Sequence, residues 1–201
     1  PPRRLYVMGA PLGNRCYVAV AGTREPSPRG AKLAFELGRE LARRGYSVVT
    51  GGARGVDSKA WEGARSVSGH VVVVAPFLLE DGRLWRRVGP NETVAAEVLE
   101  SDPRMAKRLL AARNRIIAGM SAAVVIPDAR CRAVGGRCAE GGWGTRYTVE
   151  FGVRAGRLVA VFEPDDSERA LAFRHLLDVG ATSVRDLGEV LRRVEGEASK
   201  M

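Results

Sequence analysis

Short continuous apolar runs, separated by longer amphipathic stretches, are the feature that most restricts how this chain can fold. Runs typical of fully buried strands occupy residues 16–22, 46–51, 70–76, 122–127 and 158–162, and a shorter one lies at 182–184. Strands that alternate with helices along a chain usually form a parallel sheet with helices on both faces. We therefore predict an α/β protein with an extended Rossmann-like, doubly wound, mainly parallel sheet in three α/β/α layers.

Helical patterns fill most of the segments between these runs. They predict helices over residues 28–44, 91–99, 103–118, 145–155, from 167 onward and over 186–194, and a turn followed by a helix over 51–64. Gly45 ends the first helix, Asn91 caps the third and Pro103 opens the fourth. Irregular loops rich in Arg and Gly remain at 77–90 and 128–144. With no internal repeat or linker, we expect one domain over residues 1–201, with an N-terminal extension at 1–15 and a C-terminal tail at 195–201.

The basic excess of the chain bears on its partners. The 201 residues carry a net charge of +9, and only four of the 32 basic residues are lysine. Arginine's planar guanidinium suits phosphate and favours a nucleic-acid partner, although a GC-rich genome or heat adaptation gives the same bias. No apolar run has the roughly 20 residues that cross a bilayer, and the N-terminus lacks a signal-peptide core. We expect a cytoplasmic protein with no membrane partner.

The three cysteines indicate no metal site. Cys16 opens an apolar run and is expected to be a buried small hydrophobe. Cys131 and Cys138 match no common zinc pattern, and the two histidines lie far away in sequence. We expect two free thiols there, with a local disulfide of a heat-adapted chain as the alternative. The sequence indicates no cofactor.

The turns after the strands are the places to look for a site, because doubly wound sheets bind ligands beyond the carboxyl ends of their strands. The first turn offers Gly22, Thr23, Arg24 and Ser27. The second places three glycines before a helix, which leaves backbone N–H groups free for an anion. Its candidates are Gly51, Gly52, Arg54, Gly55 and Asp57. The alternatives are an ordinary strand-to-helix turn for the first and a helix cap for Asp57. Neither the Walker pattern nor GxGxxG is present, which disfavours a nucleotide triphosphatase or a dinucleotide dehydrogenase.

Two later segments offer similar chemistry. Arg113, Asn114 and Arg115 precede the run at 122–127, and one of the two arginines should lie near the ligand edge. A solvated helix face is the alternative. A further glycine turn offers Gly142, Gly144 and Thr145, and Glu150 beyond it is either a catalytic acid or a surface carboxylate. The three tryptophans are candidates for base stacking or for the core: Trp61, Trp85 and Trp143.

Together these segments resemble the DNA-processing DprA/Smf family. The family's core pairs a G-S/T-R turn with an S/T-G-x-A-x-G-I/V-D turn and an R-N-R-I-I-A-G-L/M-S segment. This chain carries GTR at 22–24, TGGARGVD at 50–57 and RNRIIAGMS at 113–121, in the family's order. Residues 141–157 and 181–194 are similar to later family segments, so the resemblance covers nearly everything from Cys16 to Val194.

The resemblance implies an extended Rossmann fold of the SLOG superfamily that binds single-stranded DNA and helps to load a RecA-type recombinase, usually as a homodimer. Carried over by motif, its phosphate pocket comprises Gly22, Thr23 and Arg24, the turn at 51–57 and residues 113–115. We expect these partners and no catalytic residue. Arg24→Ala and Arg115→Ala should each weaken strand binding and lower its salt dependence.

The chain departs from the family pattern in its loop at 128–144, which is longer than expected. Many members also carry a helical domain before this core and a winged-helix domain after it, and we expect neither within these residues.

Two other function classes use similar glycine turns. Phosphoribohydrolases of the "lonely guy" type, in the same superfamily, carry P-G-G-x-G-T-x-x-E. Here no proline precedes GGWGT, and Thr148 stands at the glutamate position. A sensor or carrier of a nucleotide or of the molybdenum cofactor needs no catalytic residue. Release of free base from a nucleotide would identify the hydrolase, whereas a steep salt dependence would identify the DNA-binding protein.

Overall fold

Strands and helices alternate over most of the chain in the computed structural model, which describes residues 2–80, 83–84, 88–100, 103–139 and 143–200. The strands are β1 (Tyr6–Gly9), β2 (Tyr17–Val20), β3 (Ser47–Thr50), β4 (Val71–Val74), β5 (Leu79–Glu80), β6 (Arg83–Leu84), β7 (Glu92–Ala96), β8 (Ala123–Ile126), β9 (Ala133–Val134), β10 (Arg137–Cys138), β11 (Leu158–Phe162) and β12 (Thr182–Val184). The helices are α1 (Pro28–Arg43), α2 (Val56–Arg65), α3 (Ala106–Ala112), α4 (Asn114–Met120), α5 (Gly144–Arg154), α6 (Ser167–Val179) and α7 (Leu187–Ala198), with a 3₁₀ turn at Pro103–Met105.

Eight of these strands form one sheet in the order β1-β7-β4-β3-β2-β8-β11-β12. Neighbouring strands are parallel except β1 and β7, which pair antiparallel. The predicted doubly wound, mainly parallel sheet is confirmed. Among the described residues, β5 with β6 and β9 with β10 form two separate two-stranded ribbons.

Helices cover both faces of this sheet, which explains why its strands are apolar throughout. All four valines of β4 are buried, because their side chains point alternately into two apolar layers. On one face, α1, α2 and α7 contribute Leu37, Ala60 and Val190 to the core. On the other, α4, α5 and α6 contribute Ile117, Val149 and Leu176. The predicted three-layer arrangement is confirmed.

The helix predicted over 91–99 is wrong. The segment forms β7, which lies between β1 and β4 with all five residues buried. Asn91 does not cap a helix; its side-chain amide donates to the carbonyl of Ser68 at 2.8 Å. Thr93 and Val94 are β-branched and pack well in a strand, so burial outweighed the cap-like asparagine.

The predicted ends of several other elements also need correction. The predicted extension at 1–15 contains β1, which forms an edge of the sheet. The helix predicted over 103–118 divides into α3 and α4 at Arg113. The predicted tail at 195–201 instead continues α7 to Ala198.

The expected free thiols at Cys131 and Cys138 are likewise wrong. The two residues form a disulfide across the β9–β10 ribbon, whose antiparallel pairing brings their Cα atoms to 5.5 Å. Cys16 remains a free thiol, but it lies before β2 and is only partly buried. Among the described residues, no helix has the length and apolarity that a bilayer span requires.

Candidate functional site

The order of the sheet strands reverses between β2 and β8. Strands β3, β4 and β7 follow β2 on one side, and β11 and β12 follow β8 on the other. The turns after β2 and β8 therefore leave the sheet in opposite directions, and such a point opens a crevice at the carboxyl ends of the strands. Helices α4 and α5 also begin at this edge, because α4 leads into β8 and α5 follows it.

The turns after β2 and β3 are in direct contact. The N–H of Val56, at the start of α2, donates to the carbonyl of Thr23 at 3.1 Å. Gly55 has φ +95°, and a Cβ there would lie 2.4 Å from the same carbonyl oxygen. A residue with a side chain would force the two turns apart. The predicted pairing of Gly22–Arg24 with the second glycine turn thus has a structural basis at Gly55.

Arg113 is buried against the second turn. A Cβ at Gly51 would lie only 1.6 Å from the Nη1 atom of Arg113, so the guanidinium occupies the space that a side chain at Gly51 would need. Arg113 is 9% exposed and lies at the break between α3 and α4. Of the two arginines between which the sequence left the choice, this one packs on the glycine turn.

Asp57, near the N-terminus of α2, holds the glycine turn that precedes this helix in place. Its Oδ2 accepts from the N–H groups of Gly51 at 3.0 Å and Ala53 at 3.4 Å. Burial raises the pKa of Asp57, and the nearby positive charge of Arg113 partly offsets this effect. The carboxylate fixes the turn in one shape at the cost of its own desolvation.

The site holds more positive charge than its own carboxylate balances. Burial lowers the pKa of Arg113, Asp57 opposes that shift, and the charge of Arg24 adds to it. Among the described residues, the Nε atom of Arg113 has no hydrogen-bond partner. Gly55 at the start of α2 provides no side-chain cap, so the helix dipole adds further positive potential. This combination favours an anion.

The segments around α4 and α5 meet at Asn114. Its buried side chain donates to the carbonyl of Gly144 at 3.2 Å, and Thr145 next to that glycine is also buried. Asn114 thereby connects the start of α4 to the start of α5. Gly142, a predicted member of the same group, lies outside the described residues.

Three predicted site residues make their contacts within the protein instead. Ser27 caps α1, and both its hydroxyl and its N–H donate to Asp128, at 3.0 and 2.8 Å. Arg115 forms an ion pair with Glu97. Arg54 is largely exposed and lies 3.8 Å from Glu25. Gly52 remains in the turn, where its N–H donates to the Thr50 hydroxyl at 3.3 Å.

Asp128 is the organising residue that the sequence analysis missed. Its carbonyl accepts from the N–H of Thr23 at 3.0 Å, and its carboxylate accepts from Arg169 at 2.9 Å. Burial raises the pKa of Asp128, against the effects of the Ser27 N–H and Arg169. Asp128 thus ties the turn after β8 to the turn after β2. Its position two residues after the buried strand β8 could have identified it as a site residue.

Glu150, Trp61 and Trp143 make their contacts with other parts of the protein. Glu150 lies six residues into α5 and pairs with Arg146 at 2.6 Å, roughly 9 Å along the helix from its start. Trp61 donates to Glu92 at 2.7 Å, and Trp143 is buried against His175. Trp85 lies outside the described residues.

Comparison with known proteins places this fold and these motifs among DNA-processing proteins. A family model described as DNA recombination-mediator protein A matches residues 1–195. The DNA processing protein DprA of Streptococcus pneumoniae is 28% identical over 186 residues, which cover 89% of this chain and 61% of that protein. The chain also spans only 35% of the related protein Smf of Synechocystis.

Solved structures support the fold. DNA processing protein A from Helicobacter pylori, a structure described for its single-stranded DNA binding mode, has a TM-score of 0.79 at 24% identity over 98% of this chain and 89% of that one. The molybdenum cofactor binding protein of Rippkaea orientalis has a TM-score of 0.63 at 20% identity over 92% of this chain and 98% of that one.

Proposed function

The chain belongs to the DNA recombination-mediator protein A family, and from this premise we propose that it binds single-stranded DNA by its phosphates and acts in DNA processing. In the proposed complex, phosphates lie over the turns at 22–24 and 51–55. Arg24 and Arg113 supply positive charge. The N–H groups of Gly51, Gly52 and Ala53 are bonded within the protein, so the backbone N–H groups of Arg54 and Gly55 donate to phosphate oxygens. Asn114, Gly144 and Thr145 form the wall on the α5 side.

The observation that carries this proposal is the buried guanidinium of Arg113 on Gly51. Buried charges are normally paired, because an isolated one is costly to desolvate. Asp57 is the carboxylate close by, but its Oδ2 is already committed to two backbone N–H groups. A phosphate at this edge supplies the missing negative charge and a partner for Arg113.

Salt-dependent binding of an oligonucleotide tests the proposal. Fluorescence anisotropy of a labelled oligothymidylate of about 20 nucleotides is measured at several salt concentrations. Each phosphate contact contributes about 0.7 to the slope of log affinity against log salt for a single strand. We expect Arg24→Ala to weaken binding about tenfold at moderate salt and to lower the slope by about one contact.

Arg43→Ala is the matched control, because Arg43 is an exposed arginine at the far end of α1 from this site. It should leave affinity and slope close to those of the wild type. Equal affinities for Arg24→Ala and the wild type would contradict the proposed site. Because Arg115 is already paired with Glu97, we now expect Arg115→Ala to have a smaller effect than Arg24→Ala.

The family resemblance also predicts two partners, a RecA-type recombinase and a second copy of this chain in a homodimer. Sedimentation velocity of the protein alone measures the oligomeric state. Co-sedimentation with a RecA-type recombinase on single-stranded DNA measures the partnership.

A nucleotide or cofactor carrier is the second candidate, favoured by the likeness in fold to the molybdenum cofactor binding protein. The same cationic turn would then hold a single terminal phosphate. Stabilisation by mononucleotides in a thermal-shift assay, without oligonucleotide binding, would favour this candidate.

A further inference from the structure

The ribbon of β9 and β10 is a feature of this chain that the phosphate site does not use. Its strands meet at Gly135 and Gly136, which have φ +55° and +74°, as a tight two-residue hairpin turn requires. The Cys131–Cys138 disulfide closes the base. We call residues 131–138 the basic hairpin.

The two faces of the basic hairpin differ in character. Arg137 pairs with Val134 and Cys138 pairs with Ala133, and the N–H of Ala139 donates to the carbonyl of Arg132 at 2.8 Å. Since side chains alternate along a strand, Arg132, Val134 and Arg137 share one face. The cystine lies on the other face, where both cysteines pack against the core.

The arginine-bearing face is open to solvent. Residues 132–137 are all exposed, and Val134 is 57% exposed. Among the described residues, no carboxylate lies within 4 Å of the guanidinium of Arg132 or Arg137, so neither forms an ion pair with them. An exposed valine between two guanidinium groups that no described carboxylate pairs with suits a nucleic-acid strand, which presents phosphates beside apolar base surfaces.

The basic hairpin is connected to the phosphate site through its base. Arg130 pairs with Glu25 and, at 2.5 Å, with Glu168 of α6. Glu25 follows Arg24 in the first turn and also approaches Arg54 of the second. These contacts hold the hairpin beside the two turns that form the anion site, so one strand could reach both surfaces.

We infer that the outer face of the basic hairpin is a second nucleic-acid contact, which binds the phosphates of a single strand whose neighbouring nucleotides occupy the turns at 22–24 and 51–55. This inference rests on the proposed function. Arg132 and Arg137 bind phosphates, Val134 contacts a base or sugar, and the disulfide holds the two arms in register. The contact adds affinity for long strands without altering the first site.

A length comparison with the double variant Arg132→Ala/Arg137→Ala tests the inference. Anisotropy follows a labelled oligothymidylate of about 20 nucleotides. Amide chemical shifts follow a thymidylate of about three nucleotides, whose few phosphates the first site alone can bind. We expect the double variant to bind the long strand about tenfold more weakly, with a salt slope lower by about 1.4. Binding of the short one should not change. The variant Arg132→Lys/Arg137→Lys should keep most of the long-strand affinity that the alanine variant loses.

The matched control is Arg15→Ala/Arg43→Ala, which removes two exposed arginines from the opposite, amino edge of the sheet and should bind both oligonucleotides as the wild type does. Equal long-strand binding by wild type and hairpin variant would overturn the inference and leave the proposed function intact. A parallel loss of short-strand binding would also overturn it, because the arginines would then belong to the first site. Wild-type protein that binds neither oligonucleotide would refute the proposed function and the inference with it.

Discussion

Arg113, Asp57 and Gly51 form the smallest unit of the site. The glycine leaves room for the guanidinium, and the carboxylate shapes the turn on which the guanidinium lies. Both charges are desolvated, since burial shifts the pKa of each toward its neutral form. An anion that binds here relieves part of the cost of burying Arg113.

Gly51→Ala tests this unit. The new Cβ overlaps the end of the Arg113 side chain, which is flexible, so we expect a stability loss of only about 1 kcal/mol. Displacing the guanidinium should nevertheless weaken oligothymidylate binding about tenfold. Gly119→Ala is the control, because a Cβ there meets nothing within 4 Å. It should leave affinity unchanged and raise stability by up to about 1 kcal/mol in its helix. Unchanged binding by Gly51→Ala would show that Arg113 does not contact the strand.

Asp57 also predicts a pH dependence. Its folded-state pKa is raised, so its stability contribution is present below the unfolded value of about 3.9 and is lost as pH rises through the folded value.

As pH falls toward that raised pKa, the carboxylate is neutralised beside Arg113 and Arg24 while phosphodiesters stay ionised. We expect strand affinity at fixed salt to rise on acidification, and Asp57→Asn to flatten the rise. An equally steep rise in Asp57→Asn would assign it to another group, with Asp128 the next to test because its pKa is also raised.

At the scale of elements, the sequence correctly predicted the helices and strands whose local residue pattern favours the same structure as their packing in the fold. The long stripe of α1 and the apolar runs of β2, β4 and β8 are examples. The strand β7 was missed because five residues behind an asparagine resemble a short capped helix, and its strand state depends on β1 and β4. The division of α3 from α4 and the cysteine pairing likewise depend on tertiary contacts.

The basic hairpin gives the prediction that belongs to this scale. Replacing both Cys131 and Cys138 with serine removes a cross-link of short loop length, so we expect the free energy of unfolding to fall by no more than about 2–3 kcal/mol. Urea denaturation with and without reductant measures the change. Reduced wild type should match the double variant, and a wild type that is insensitive to reductant would argue against the bridge.

At the scale of the whole molecule, the sequence predicted which edge of the sheet carries the site. It did not predict the contacts that hold the residues of the site in place. Strand–helix alternation places the four candidate segments at the carboxyl ends of the strands. Contacts such as Asp128 with Ser27 and Arg169 join residues far apart in sequence. They required the completed fold, which is why Ser27 was taken for a ligand residue although it belongs to the scaffold.

Amide chemical-shift mapping during titration with a short oligothymidylate tests the central claim most directly. The account predicts that the largest shifts fall at Gly22–Arg24 and Gly51–Gly55, with smaller ones at the start of α5. Shifts at the amino edge around Arg15 and Arg43 would contradict the proposed site. Saturable shifts that are largest in these two turns and smaller at the start of α5 would establish where the strand binds.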